Sequence, residues 1–237
     1  MSAKVKQIIG RLRELGDGDT AAHSQRFFKT GRGEYGEGDR FLGIRVPTIR
    51  QCVRQYRALC LEDTLQLLQS PFHEARLLAL LILTAKYSSS HKSNEQATIY
   101  RSYLAHTQFI NNWDLVDCSA QHIVGAYLFP RNRKPLYRLV RSKSLWERRI
   151  GVMATFYFVK RGDFADTLKI AAILLGDEED LLHKAVGWML REVGKRNLGE
   201  EETFLTRYYT QMPRAMLRYA IEKLPEPERL AYLRGTK

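Results

Sequence analysis

Cysteine is scarce in this chain of 237 residues: Cys52, Cys60 and Cys118 show neither the even count of a disulfide framework nor the spacing of a metal site. They read as buried thiols of a reducing cytoplasm, which is the expected location. The six histidines lack paired-ligand spacing, so neither a metal nor a cofactor is expected. A Walker loop, a nucleophile elbow and a recognisable Cys–His pair are all missing. Apolar runs are short. The longest, Leu77 to Leu83, falls far below membrane-spanning length, and the amphipathic start MSAKVKQIIGRLRELG has too little apolar sequence for a signal peptide. Strand-like alternation is nearly absent, and no Ser/Gly/Pro-rich linker divides the chain, which predicts one domain over residues 1–237. Acidic residues are also in deficit, at 26 against 38 Lys and Arg, for a net charge of +12. That imbalance predicts a polyanionic partner, nucleic acid ahead of an acidic membrane surface, but supplies no chemistry by itself.

Helical periodicity fills most of what remains. Val5, Ile8, Ile9, Leu12 and Leu15 form the stripe of a helix over 4–15, ending at Gly16. A short helix is expected over about 20–29, ending in Arg26-Phe27-Phe28-Lys29. From that fragment alone, packing of both aromatics in the core is favoured, with one packing and the other projecting as the alternative. Residues 30–43, TGRGEYGEGDRFLG, hold five glycines. Gly31, Gly33 and Gly36 match G-x-G-x-x-G, but that motif needs a preceding buried strand and an immediate helix, and neither is present. A flexible glycine-rich loop or small hairpin is expected, with Arg32 and Arg40 within reach of a phosphate backbone. From Pro47, a good first-turn residue ahead of Ile49, Val53 and Tyr56, helix follows helix.

The later helices recur. Equivalent points at His73, Ile110, Trp146, Leu182 and Pro213 are spaced 37, 36, 36 and 31 residues apart, with shorter helical candidates between them at 61–69, 92–107, 133–141, 163–175 and 198–211. A period in the high thirties with two helices per unit predicts an all-α fold, an α-solenoid of HEAT-like antiparallel helix pairs. The second helix of each pair would line a concave surface, where residues opposite each core stripe converge.

Residues 181–196, LLHKAVGWMLREVGKR, make that surface concrete. Leu182, Val186, Met189, Leu190 and Val193 form the buried stripe, and Lys184, Trp188, Arg191 and Lys195 form a second stripe opposite. Either Trp188 lies under a neighbouring helix, or an indole stands among three cations on a surface suited to nucleic acid. In the segment from 110, Trp113 and Asp117 share one face beside a stripe of Val116, Ala120, Ile123 and Tyr127. Asp117 reads as a surface carboxylate paired with a lysine, or as a negative charge set for a cationic transition state. The adjacent Arg148 and Arg149 point about 100° apart, one inward and one outward. Arg149, with Val152, Met153 and Phe156 at helical distances, is expected to be enclosed and to need an anion, either Asp117 or a phosphate. The window from Arg131 to Arg149 holds eight Lys or Arg and one acid, Glu147, the densest basic region.

Four stretches, FLGIRVPTIR at 41–50, NNWDLVD at 111–117, LWERR at 145–149 and HKAVGWMLREVGK at 183–195, resemble the AlkD-like DNA alkylation-repair glycosylases, which are built from HEAT-like repeats. The resemblance covers nearly the whole array. It implies that Asp117 matches the catalytic aspartate, that Trp113 and Trp188 match two tryptophans flanking the lesion nucleotide, and that Arg149 matches an arginine near the DNA backbone. Phe27 matches an aromatic, often Tyr, that closes the site. Arg148, Lys184, Arg191, Lys195, Arg32 and Arg40 are the further expected DNA contacts. The implied activity is hydrolysis of the N-glycosidic bond of N3- or N7-alkylated purines in duplex DNA, by a monomer without metal, cofactor or membrane. The glycine-rich insert departs from the family pattern. Relatives with an extra hairpin there resemble non-catalytic binders of branched or distorted DNA, which makes that the alternative; a protein-binding scaffold fits the charge less well.

Overall fold

A computed structural model describes residues 1–237; its regular elements are all helices, apart from one isolated bridge between Arg40 and Phe72. The chain divides into two compact units, Met1–Ile123 and Val124–Lys237.

The first unit runs through α1 (Ala3–Glu14), α2 (Gly18–Phe27), α3 (Val46–Tyr56), α4 (Leu61–Leu68), α5 (His73–Ser89), α6 (Ser93–Ala105) and α7 (Trp113–Asp117). Ser2 caps α1, and Val5, Ile8, Ile9 and Leu12 are buried, as their spacing requires. Asp17 caps α2 by accepting from Thr20 N at 2.8 Å. In α5 the run from Leu77 to Leu83 is buried on almost every side, because α1, α3, α4, α6 and α7 all pack on it. A helix without a polar face is stable only in such a position. The thiols do not share one environment. Cys52 is buried, but Cys60 is exposed at the N-cap of α4, where its Sγ accepts from Asp63 N, so its sulfur serves a backbone donor and not the core.

The second unit holds α8 (Ala126–Leu128), α9 (Lys134–Leu139), α10 (Leu145–Ala154), α11 (Phe156–Val159), α12 (Ala165–Ile173), α13 (Asp180–Gly194), α14 (Leu198–Tyr208), α15 (Arg214–Ala220) and α16 (Glu226–Arg234). Its core forms around α13, on which α10, α11, α12, α14 and α15 all pack. Leu182, Val186, Met189, Leu190 and Val193 are each 1 % exposed or less, so the stripe read from the sequence is the packing face. Helix pairs joined by short connections make up both units, the local pattern of an α-solenoid.

One stripe is broken. Residues Gln121–Gly125 form a π turn, which inserts an extra residue into the helical register. Ala126 and Tyr127 are therefore only half-buried and Leu128 takes the core position, whereas simple periodicity assigns it to Tyr127.

Residues 30–43 form a series of turns, with no hairpin. The loop is anchored at several points: Gly36 and Asp39 are buried, and Leu42, Gly43 and Ile44 donate their amides to the buried Glu74 carboxylate at 2.9, 2.8 and 3.2 Å. Gly43 has φ of 82°, and a Cβ there would fall on the Asp17 carbonyl oxygen. Both the left-handed backbone and the close approach demand glycine. Gly43→Ala is expected to destabilise the protein by about 2 kcal/mol or more, a Tm lower by roughly 4–8 °C in thermal melts; an unchanged Tm would contradict this packing.

Candidate active site

The residues expected at the site fall in both units. Phe27, Arg32, Arg40, Trp113 and Asp117 belong to the first, and Arg148, Arg149, Lys184, Trp188, Arg191 and Lys195 to the second.

In the first unit Trp113 opens α7 and Asp117 closes it, both half-buried. Asn112 caps the turn by accepting from Trp113 N at 2.8 Å. The indole stacks on Phe28 (centroids 5.2 Å, planes 19° apart), and Phe27 meets it edge-on at 6.0 Å and 70°. The two phenylalanines thus divide their labour. Phe28 packs, while Phe27 stays 58 % exposed, so the favoured expectation that both enter the core fails. The reason is local: α2 has no buried residue, so it offers no core for both rings to enter. The ring column continues from Phe28 to Phe41 (4.9 Å, 18°) and from Phe41 to His73 (4.4 Å, 21°).

His73 forms the base of this column, and sequence reasoning overlooked it. Its Nδ1 lies 2.8 Å from Asp39 Oδ2 and its Nε2 2.8 Å from Asp114 Oδ2. Burial favours the neutral ring, but Asp114 and Asp39 outweigh it and raise the imidazole pKa to about 9. Burial would likewise raise the Asp39 carboxyl, yet the bonds from His73 and Arg76 (2.6 Å) hold it below the usual range. The clue present in the sequence is a helix whose first turn, His73-Glu74-Ala75-Arg76, is polar just before an all-apolar run.

In the second unit Trp188 leans against Phe156 (5.8 Å, 58°) and its Nε1 donates to Glu192 Oε1 at 3.3 Å. It is half-buried, a state between the two readings of the sequence. Glu192 also accepts from Lys195 Nζ at 2.6 Å and from Arg196 at 2.9 Å. Burial pushes this carboxyl up, but these donors bring it below its ordinary value, so Trp188 is fixed by an ionised group. Arg149 is 5 % exposed and donates to the Leu181 carbonyl, the enclosed member of its pair. Arg148 does not project into solvent as expected: its side chain is 15 % exposed, ion-paired to Asp177 at 2.7 Å and donating to the Ser142 and Lys143 carbonyls.

Internal pairing changes the meaning of the basic stripe. Lys184 pairs with Asp180 at 2.6 Å, Arg191 with Glu222, and Lys195 with Glu192. Within the basic window, Arg133 is likewise held by Asp163 and Asp166. Arg32 and Arg40 are exposed in the packed loop. A phosphate at Lys195 would compete with a carboxylate; one at Arg32 would displace only salt. Arg32→Ala and Arg40→Ala are therefore each expected to flatten the slope of log K against log salt for DNA by about 0.9, and Lys195→Ala by clearly less. Anisotropy titrations over about 50–200 mM salt would read the difference, and equal effects from all three would refute it.

Residues 8–224 match the sequence profile of the family described as "DNA alkylation repair enzyme". No curated protein matches the chain. Among solved structures, the chain is similar to "Predicted DNA alkylation repair enzyme from Enterococcus faecalis", at 17 % identity and a TM-score of 0.68, with 90 % of this chain and 98 % of that one covered. At that identity the likeness establishes the fold alone.

Proposed function

Because the chain belongs to the DNA alkylation repair enzyme family, we propose that it hydrolyses the N-glycosidic bond of N3- or N7-alkylated purines in duplex DNA. The observation that carries this reading is the pairing on one helical turn of Trp113, braced by Phe28 and edged by exposed Phe27, with the Asp117 carboxylate four residues on. Alkylation at N3 or N7 already makes the purine a cation, so it departs as a neutral base without an enzymic acid. The C1′–N9 bond breaks with its electron pair going to the base. Water adds to C1′ and its proton leaves to solvent. What must be supplied is stabilisation of the positive sugar and placement of the water, and a carboxylate beside an electron-rich ring face suits both.

In this reading Asp117 opposes the developing charge and orients the water, and Trp113 gives the lesion nucleotide a stacking surface. Trp188 supplies the second indole, Arg149 a guanidinium for the backbone, and Phe27 the closing ring. The test is release of 7-methylguanine or 3-methyladenine from methylated duplex DNA by the purified protein, beside Asp117→Asn. Release lost in the variant supports the assignment. No release by the wild type, together with tight binding of four-way junctions, would overturn it in favour of a non-catalytic binder of branched DNA.

A further inference from the structure

The helix to which the chemistry is assigned, α7, is five residues long. A single turn cannot hold its own shape in water, since helix nucleation is unfavourable and only tertiary contacts repay it. Something outside α7 must therefore set where Trp113 and Asp117 point. Leu115 and Val116 are buried and fix the turn's depth, but apolar contacts are non-directional. A directional contact is made at Asp114, whose Oδ2 meets Nε2 of His73 at the start of the 17-residue α5.

We propose that His73 is the positioning residue of the site, bridging Asp39 of the glycine-rich loop to Asp114 of α7 and thereby seating Trp113 on Phe28. The proposal rests on the reading that α7 carries the reaction. The geometry admits little else for this side chain. His73 is 2 % exposed, and each ring nitrogen lies 2.8 Å from a carboxylate oxygen. Carboxylates only accept, so both nitrogens must donate, and only the imidazolium can do that. The faces of the ring are covered by Phe41 at 4.4 Å and Phe28 at 5.1 Å, the second being the ring under Trp113. One buried cation thus touches α7 twice, directly through Asp114 and indirectly through Phe28.

The charged groups around it close the account. From the loop comes Asp39, from α7 Asp114, and from α5 itself Arg76, which holds the other oxygen of Asp39, and Glu74, occupied by the amides of residues 42–44. With His73 protonated, the two aspartates face two cations. Without its proton, one aspartate loses its donor while still buried or half-buried, and the direction of Asp114 is no longer fixed. Raising the pH through about 9 should therefore loosen Trp113, and any step that uses it should slow over the same range.

The test uses His73→Gln and Asp114→Asn beside the wild type, in the full chain. Three quantities are read: single-turnover base release from methylated duplex DNA, Kd for that DNA, and the NMR signals of the Trp113 indole and His73 imidazole from pH 6 to 10. His73→Gln is expected to slow release by about 30- to 100-fold with Kd within about threefold, and to shift the Trp113 indole signal. In the wild type, the Trp113 and His73 signals should move together near pH 9. Asp114→Asn should shift both transitions down by a pH unit or more, which keeps the proposal testable should His73→Gln not fold. The proposal is overturned if the His73 nitrogens titrate near their ordinary value, or if Trp113 stays unmoved while His73 loses its proton. Should the wild type release no base, the assignment of the reaction fails, while the coupled titration still decides the positioning claim.

Discussion

Replacing Asp117 by asparagine is expected to slow base release from methylated duplex DNA by about 10²- to 10³-fold, with DNA affinity changed by less than about threefold. The asymmetry follows from when the charge matters. In the ground state the positive charge sits on the alkylated base, and as the C1′–N9 bond stretches it moves to the sugar. A fixed carboxylate that faces the sugar acts mainly on that second arrangement, so its loss is felt in the rate and little in binding. Asparagine keeps the shape and one acceptor oxygen but drops the charge, which separates electrostatics from packing. Single-turnover release at saturating enzyme, with anisotropy for binding, reads both quantities. An Asp117→Asn protein that releases base at the wild-type rate would remove Asp117 from the mechanism.

The second large effect concerns stability and arises in the second unit. Glu201 of α14 is 3 % exposed, and burial pushes its carboxyl pKa to about 8, with Glu202 adding to the rise and Arg191 opposing it. Its carboxylate lies against Gly194, where any side chain would collide with it, and one of its oxygens has no hydrogen-bond partner. The folded state therefore binds this proton more tightly than the unfolded chain does. The sign is fixed: the contribution is fully present below the ordinary Glu value and is lost as pH rises from there to about 8. Between pH 5 and 8 the wild type should lose roughly 3 kcal/mol that Glu201→Gln does not, a relative Tm change of roughly 6–12 °C. Thermal melts of both proteins across that range test it, and parallel curves would mean that Glu201 ionises normally. His73, also raised, loses its contribution at higher pH, but that loss is common to both proteins and cancels.

How much of this was legible in the sequence depended on the range of the interaction. The stripe of Leu182, Val186, Met189, Leu190 and Val193 is a property of one helix and is buried as its period requires. The helix pairs followed from the same short-range signal, repeated along the chain. Tyr127 was misplaced because the π turn at 121–125 alters the period itself, and no composition cue marks it. Asp117, Trp113, Arg149 and Trp188 stood out as polar or aromatic residues on helices with apolar neighbours. The partners of His73 lie 34 and 41 residues away, so only folding brings them together. The carboxylates beside Arg148 and Arg191, 29 and 31 residues distant, were hidden in the same way. Asp180 and Glu192, beside Lys184 and Lys195, lie one helical turn away, so those two pairs were legible in the spacing and the stripe was less uncompensated than it read.

Phe27 leaves most of an aromatic ring in water beside Trp113, and this has a calorimetric consequence. A nucleobase that stacks over the ring would strip its hydration, and removal of apolar surface from water carries a negative heat-capacity change. Association with lesion-bearing duplex should then grow more exothermic as temperature rises, and Phe27→Ala should reduce that trend more than it reduces the salt response. Temperature thus distinguishes a ring that covers the lesion from one that merely borders it.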